Sequence, residues 1–397
     1  MDSQDRSGGA AVDHQIIGPN VLRARKNRGA TQEEVARASG LSRAAYRAIE
    51  KGRSVPQVEN LRSIARALSV PVRELVSPAP QLENVRFRSL KRLKTRDQIL
   101  LDVARWLHDF AELENLLDDH CAHTLDALVE QAVELRGQGI EAVASAAREH
   151  FGLSAREPVH DICGLLESQG VKVLQVHVAS DAFLGLSVAA RDGGPAVIVN
   201  TWERLPVERW IFSAAHELGH LVLHLGAYDV RAQAEDPDQE REAEVFASHF
   251  LMPDAVFRRE WEDTAGCSLL DRVLKVKRVF RVSWRAVVFR VSEGLPEEQR
   301  ARLWRRVHAE HKRRTGQTLL KLQEPGSVPK SVFQSPAILS PAGREPARLD
   351  VHDFQGDRLA LLVRRAVERE LISLSRGAEI LGLTNGEMRE RTASWVA

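Results

Sequence analysis

Five consecutive residues, His216-Glu217-Leu218-Gly219-His220, constrain this chain more than any others. They lie in an apolar run, with Trp210 to Ala215 before them and Leu221-Val222-Leu223 after, and the run has helical character. Residues four apart on a helix share a face, so His216 and His220 can present their imidazoles to one Zn²⁺. Glu217 is one step round, placed to reach a water without ligating the ion. Two neutral imidazoles, an open coordination position and a carboxylate base are what metal-assisted hydrolysis requires. The competing reading is an apolar helix that carries two surface histidines by chance, and it requires no third ligand.

A third ligand is offered downstream. Residues 240–251 read as an amphipathic helix with Val245, Phe246, Phe250 and Leu251 as its large apolar residues. Glu242 lies three and four residues before Val245 and Phe246 and shares their face, whereas Glu240 and Glu244 point toward solvent. A carboxylate on an apolar face is costly unless paired or metal-bound, so Glu242 is the expected third zinc ligand. Glu240 reads as a helix-start carboxylate beside the dipole. His224 reads as a helix-end residue and His249 as a satisfied buried histidine. The oxyanion donor is not legible, with Tyr228 and His249 the weak candidates.

The N-terminal part carries a second pattern. Thr31 with Glu34 forms a capping box, Gly40 suits the left-handed conformation of a tight helix-to-helix turn, and Ser42 caps a helix over 43–50. Tyr46 and Ile49 face inward, and Val35, Ala36, Leu41, Leu61, Ile64, Ala65, Leu68, Val72 and Leu75 complete a small all-helical core. This is helix-turn-helix spacing. The second helix would enter the major groove of double-stranded DNA, with Arg43, Ala44 and Arg47 facing bases and Gln32, Lys51 and Arg53 near phosphates.

Charge distribution favours that reading over a helix-turn-helix used only for packing. The chain is close to neutral at +1, yet residues 21–76 carry 12 basic and 5 acidic side chains. Residues 77–96 add Arg86, Arg88, Lys91, Arg92, Lys94 and Arg96 against Glu83 alone. A basic end suits a polyanion, and its binding should weaken steeply with salt.

The remainder sets bounds. The expected fold class is α+β and mostly helical: an all-α helix-turn-helix domain, a zincin-like domain with a small sheet, and a C-terminal helical module. The expected boundaries are a flexible tail over 1–14, the DNA-binding domain over 15–76, a basic linker and connecting helices over 77–139, and the metal-binding domain over 140–295. A helix over 296–314, a proline-rich linker over 315–348 and the C-terminal module over 349–397 follow. Helices are expected near 97–118, 120–135, 141–150 and 159–169, and strands near 171–178, 183–190 and 196–199, one of which would cradle an extended peptide along its edge. Pro325, Pro329, Pro336, Pro341 and Pro346 interrupt the linker. The segment 372–384 resembles half of another helix-turn-helix; without a basic surplus it reads as a docking module for protein. No run of about 18 apolar residues predicts a membrane span, and three isolated cysteines, Cys121, Cys163 and Cys267, point to a reducing cytoplasm.

Residues 212–224, followed by Glu242-Ala243-Glu244-Val245-Phe246-Ala247 and Leu251-Met252-Pro253, resemble the ImmA/IrrE family of zinc metallopeptidases. Ala196 to Asn200 and Phe280-Arg281-Val282-Ser283 resemble that family's strand with its Asn and its helix start. One departure is Glu244, where the family usually has Asn or Asp. Residues 15–76, with Glu50-Lys51-Gly52-Arg53 and Pro56, resemble the Xre/Cro/lambda-repressor family. Together the resemblances imply a DNA-binding transcriptional regulator with a zinc endopeptidase. It would cut a helix-turn-helix repressor, or itself within 77–96, to relieve repression of stress or mobile-element genes. The runner-up is a transcription factor whose peptidase-like domain senses a signal without proteolysis. A homodimer is consistent with a single helix-turn-helix per chain.

Overall fold

A computed structural model describes residues 14–68, 70–76, 82–87, 95–154, 156–231, 236–320, 322–326 and 349–396. They fall into two compact units, one of residues 1–81 with 94–105 and one of 82–93 with 106–397.

In the first unit, local sequence signals become helix ends. Thr31 Oγ1 accepts from the Glu34 amide at 3.2 Å while a Glu34 carboxylate oxygen accepts from the Thr31 amide at 2.8 Å. This reciprocal cap starts α2 (Gln32–Ala38), which follows α1 (His14–Asn27). Gly40, at φ +71°, turns the chain, and the Ser42 hydroxyl accepts from the Ala45 amide at 3.1 Å to start α3 (Arg43–Glu50). α4 (Val58–Leu68) and α5 (Val72–Val76) complete the bundle. Tyr46, Ile49, Leu61, Ile64, Leu68 and Leu75 are buried with Ile17 and Val21 of α1, and Leu41 and Val72 pack at the edge. A polar tie fixes α3 from within: Arg25 donates to both oxygens of the buried Glu50, at 2.6 and 2.9 Å.

In the second unit, the five residues of Ala196–Asn200 are all buried, which is the pattern of a strand covered on both faces. This strand, β4, lies inside a four-stranded sheet of order β1-β3-β4-β2, formed with β1 (Val85–Phe87), β2 (Lys172–Val176) and β3 (Gly185–Val188). β2 runs parallel to β4; β1 and β3 are antiparallel to their neighbours. The three strands expected near 171–199 are present; β2 and β3 are shorter than expected, and β4 is one residue longer.

The basic stretch 77–96 contains a strand where only a linker was expected. Among its described residues, Val85, Arg86 and Phe87 pair with Val188, Ser187 and Leu186. One edge of β3 is therefore covered over 186–188 and is closed to an extended peptide there. Residues 77–81 and 88–94 of that stretch lie outside the described residues, Arg88, Lys91, Arg92 and Lys94 among them.

The helices of this unit are α6 (Arg96–Leu117, from Trp106 onward), α7 (Leu125–Leu135), α8 (Ile140–His150), α9 (Ile162–Ser168), α10 (Val207–Leu223), α11 (Pro237–Leu251), α12 (Asp254–Glu262), α13 (Leu269–Phe280), α14 (Trp284–Ser292) and α15 (Glu297–Thr315). α10 packs on β3 and β4, and α11 packs on α10. Asp236 accepts from the Asp238 and Gln239 amides, and Pro237 occupies the first turn, so the start of α11 is fixed. The core contains Trp210, Ile211, Leu218, Phe246, Phe250, Phe280 and Trp284.

The C-terminal segment forms α16 (Arg358–Glu368), α17 (Leu374–Ile380) and α18 (Asn385–Ala393). It docks within its own unit: Arg376 pairs with Asp109 at 2.7 Å and Glu112 at 3.0 Å, and Arg358 pairs with Glu114 at 3.3 Å. Of the linker prolines, Pro329, Pro336, Pro341 and Pro346 lie outside the described residues. No described helix is long and apolar enough to cross a membrane.

Candidate metal centre

α10 carries its chemistry on one stripe. Its apolar residues Trp210, Ala214, Leu218 and Leu221 are buried, and this leaves His216 and His220 one turn apart toward the start of α11. Their Nε2 atoms lie 3.2 Å apart. Glu240, in the first turn of α11, completes the group. Its Oε2 is 3.5 Å from His216 Nε2 and its Oε1 is 3.9 Å from His220 Nε2. One ligand atom from each residue falls within 4.8 Å of the others. Atoms bound tetrahedrally to one ion at zinc's bond lengths stand about 3.3–3.5 Å apart, so the donor set and its spacing fit such an ion.

Glu242, the expected third ligand, is elsewhere. The structure groups Glu240 with the histidines instead, and the reason lies in which residues α11 buries. Small Ala243 and Ala247 are fully buried, and Phe246 packs so tightly that a Cβ on Gly219 would stand 3.0 Å from its ring. The two alanines mark the line of closest approach to α10, and Glu240 sits three and seven residues before them on that line. Weighting the large apolar residues alone points instead to the azimuth of Glu242.

Glu242 has a place in the same network. Its Oε2 lies 2.8 Å from His224 Nε2, and Arg136 pairs with it as well. His224 Nδ1 lies 2.7 Å from His220 Nδ1. A carboxylate only accepts, so His224 carries its proton on Nε2 and accepts at Nδ1. His220 must then donate from Nδ1, which leaves its Nε2 lone pair facing His216 and Glu240. The Glu242–His224 pair thus sets the tautomer of a ligand candidate, as outer carboxylates commonly do at metal sites. Burial pushes the His224 pKa down to about 4, with Arg86 and Arg136 adding to the shift against the pull of Glu242. That keeps the ring neutral, as this relay needs.

Glu217 is buried beside β3. The Ser187 hydroxyl donates to its Oε2 at 2.7 Å, and the Tyr228 hydroxyl donates to Ser187 at 2.7 Å. Gly185 lets β3 lie close to β4 at this point: a Cβ there would stand 2.7 Å from the Ile198 carbonyl oxygen and 3.4 Å from Glu217 Cγ. Asn200 shapes the rim of the site: its amide donates to the carbonyls of Val178, Ser180 and Phe183, which fixes the loop before β3.

His216 and Glu217 open on a cleft of about 380 Å³, lined also by Leu184, Arg209, Phe212, Glu244, Arg285 and Trp304. Neither weak oxyanion candidate is among the lining residues. Tyr228 is buried against Ser187, and His249 lies between Glu293 at 3.1 Å and Arg290 at 3.2 Å. Sequence reasoning missed Glu240, Ser187, Arg136 and Arg86. Only Glu240 had a local signal, the alanines at its third and seventh following positions.

In the first unit, Arg43, Ala44 and Arg47 lie exposed along α3, with Lys51 and Arg53 exposed just beyond it. Gln32 is turned inward, donating to Glu50 at 2.7 Å.

Fold and sites together define a helix-turn-helix domain joined to a metallopeptidase-like domain. Residues 21–75 match the family described as Helix-turn-helix, and residues 166–292 match Peptidase_M78, described as IrrE N-terminal-like domain. An uncharacterized HTH-type transcriptional regulator of Sinorhizobium fredii (strain NBRC 101917 / NGR234) is 40% identical over 67 residues, 17% of this chain and 87% of that protein. The chain belongs to the Xre-type helix-turn-helix family through its first unit, and it carries an IrrE/ImmA-like domain behind it.

Proposed function

We propose that this chain is a DNA-binding transcriptional regulator with a zinc-dependent endopeptidase in its second unit. The observation that carries the reading is the convergence of His216, His220 and Glu240 beside the buried carboxylate of Glu217 at an open cleft. Those three residues would hold Zn²⁺, which when bound supplies Lewis acidity and lowers the pKa of water toward about 7. Glu217 accepts a proton as the water oxygen bonds to the peptide carbonyl carbon, and delivers it to the departing amide nitrogen as the C–N bond breaks. Ser187, itself held by Tyr228, donates to one Glu217 oxygen, so the carboxylate is aimed before substrate arrives. An extended peptide would lie along β3 at Leu184 and Gly185, upstream of the part that β1 covers.

The substrate class follows from the family resemblance: a helix-turn-helix repressor, or the chain itself within 77–96 on either side of β1. On the DNA side, Arg43 and Arg47 would read bases and Lys51 and Arg53 would meet phosphate, in a paired complex on two half-sites. The test is incubation of the zinc-loaded protein with repressors encoded beside its gene. Wild type should release fragments, and Glu217→Gln should lose cleavage by about 10²–10⁴-fold while it retains zinc. Equal cleavage by both proteins removes the catalytic assignment, and no cleavage by either supports a sensor domain instead.

A further inference from the structure

β1 lies outside residues 166–292, the stretch matched by the peptidase family, yet it is bound firmly to the sheet beside the metal centre. Asp192 accepts from the Glu83 and Asn84 amides at 2.6 Å each, Glu83 O accepts from the Val230 amide at 2.8 Å, and Asn84 O accepts from the Ala189 amide at 3.0 Å. Phe87 stacks on Phe183 with ring centroids 5.2 Å apart. Register places Arg86 opposite Ser187, so both side chains leave the same face of the sheet. On that face Ser187 reaches Glu217 of α10. Arg86 reaches α11: it is only 8% exposed, its Nη1 donates to Gln239 Oε1, and its Nη2 lies 3.5 Å from Glu240 Oε1.

Glu240 thus lies between Arg86 and the histidine pair, its Oε1 between Arg86 and His220 and its Oε2 beside His216. We propose that Arg86 is a positioning residue for the metal centre: it grips Glu240 Oε1 from behind and so orients the carboxylate toward the histidine pair. The inference rests on the metallopeptidase reading of this site. A planar guanidinium suits the task because its fork engages Gln239 and Glu240 together, which a point-charge ammonium does less well. A buried cation also repels a divalent ion, so the sign of its effect discriminates. Positioning predicts weaker metal binding when Arg86 is removed, and repulsion predicts tighter binding.

The experiment measures Zn²⁺ affinity of the full chain by competition with a chromophoric chelator. Arg86→Ala should bind about 10–100-fold more weakly than wild type, as for other residues that orient a ligand from behind, and Arg86→Lys should recover part of the loss. The Co²⁺-substituted proteins provide a readout that packing alone would not move: the visible absorption of Arg86→Ala should differ from wild type, and that of Arg86→Lys should lie between them. Metal-free melting curves establish that the variants fold, and Arg86→Gln takes the place of alanine if that variant does not. Affinity equal to or tighter than wild type, with an unchanged Co²⁺ spectrum, overturns the proposal alone. Failure of wild type to bind Zn²⁺ overturns the metallopeptidase reading and this inference with it.

Discussion

Glu240 and Glu242 are two residues apart, about 200° around a helix, and they do different things. Glu240 meets His216 and His220; Glu242 meets His224 and Arg136. The pairing of His216 with His220, and the place of Glu217 beside them, were legible because helical periodicity fixes them locally. The choice between the two glutamates was not, since it depends on how closely α11 approaches α10, which the buried Ala243 and Ala247 set. The Glu242–His224–His220 relay has a pH consequence in the metal-free protein. The folded-state pKa of His224, about 4, lies below the ordinary 6.5, so folding favours the neutral ring. Its contribution to stability is complete above pH 6.5 and is lost as pH falls toward 4. Urea midpoints of the chelator-treated protein should therefore drop between pH 7.5 and 5, and the drop should shrink in His224→Asn. An equal drop in both proteins would place the titrating group elsewhere.

At the scale of elements, the helices that were readable have an apolar period, and several have a capping residue of their own, such as Thr31 for α2 and Ser42 for α3. β1 was not readable. It has three residues, its neighbours in sequence are basic, and its stability comes from Ser187 and Asp192, about a hundred residues away. β3 is the element that lies against Glu217. Gly185→Ala would place a Cβ 2.7 Å from the Ile198 carbonyl oxygen, so β3, against which Glu217 lies, must shift relative to β4. The expected result is cleavage reduced at least about 10-fold, as for small misplacements of reacting groups, with Zn²⁺ affinity within a few-fold of wild type. If both properties were preserved, the close approach of β3 to Glu217 would have no catalytic meaning.

Across the whole molecule, the helix-turn-helix and the candidate metal centre lie in separate compact units. The near-neutral total charge conceals a basic head, and the exposed Arg43 and Arg47 of α3 belong to it. Arg43→Ala combined with Arg47→Ala should abolish operator preference in a mobility shift, leave weak salt-sensitive binding, and spare zinc content. Retained sequence preference in that variant would mean that bases are read by another element. The most direct test of the account is zinc stoichiometry by mass spectrometry on wild type, Glu240→Ala and Glu242→Ala. The geometry predicts one zinc per chain in wild type, none retained by Glu240→Ala, and zinc still present but more weakly held in Glu242→Ala. Full occupancy in Glu240→Ala together with loss in Glu242→Ala would contradict it and return the third ligand to Glu242.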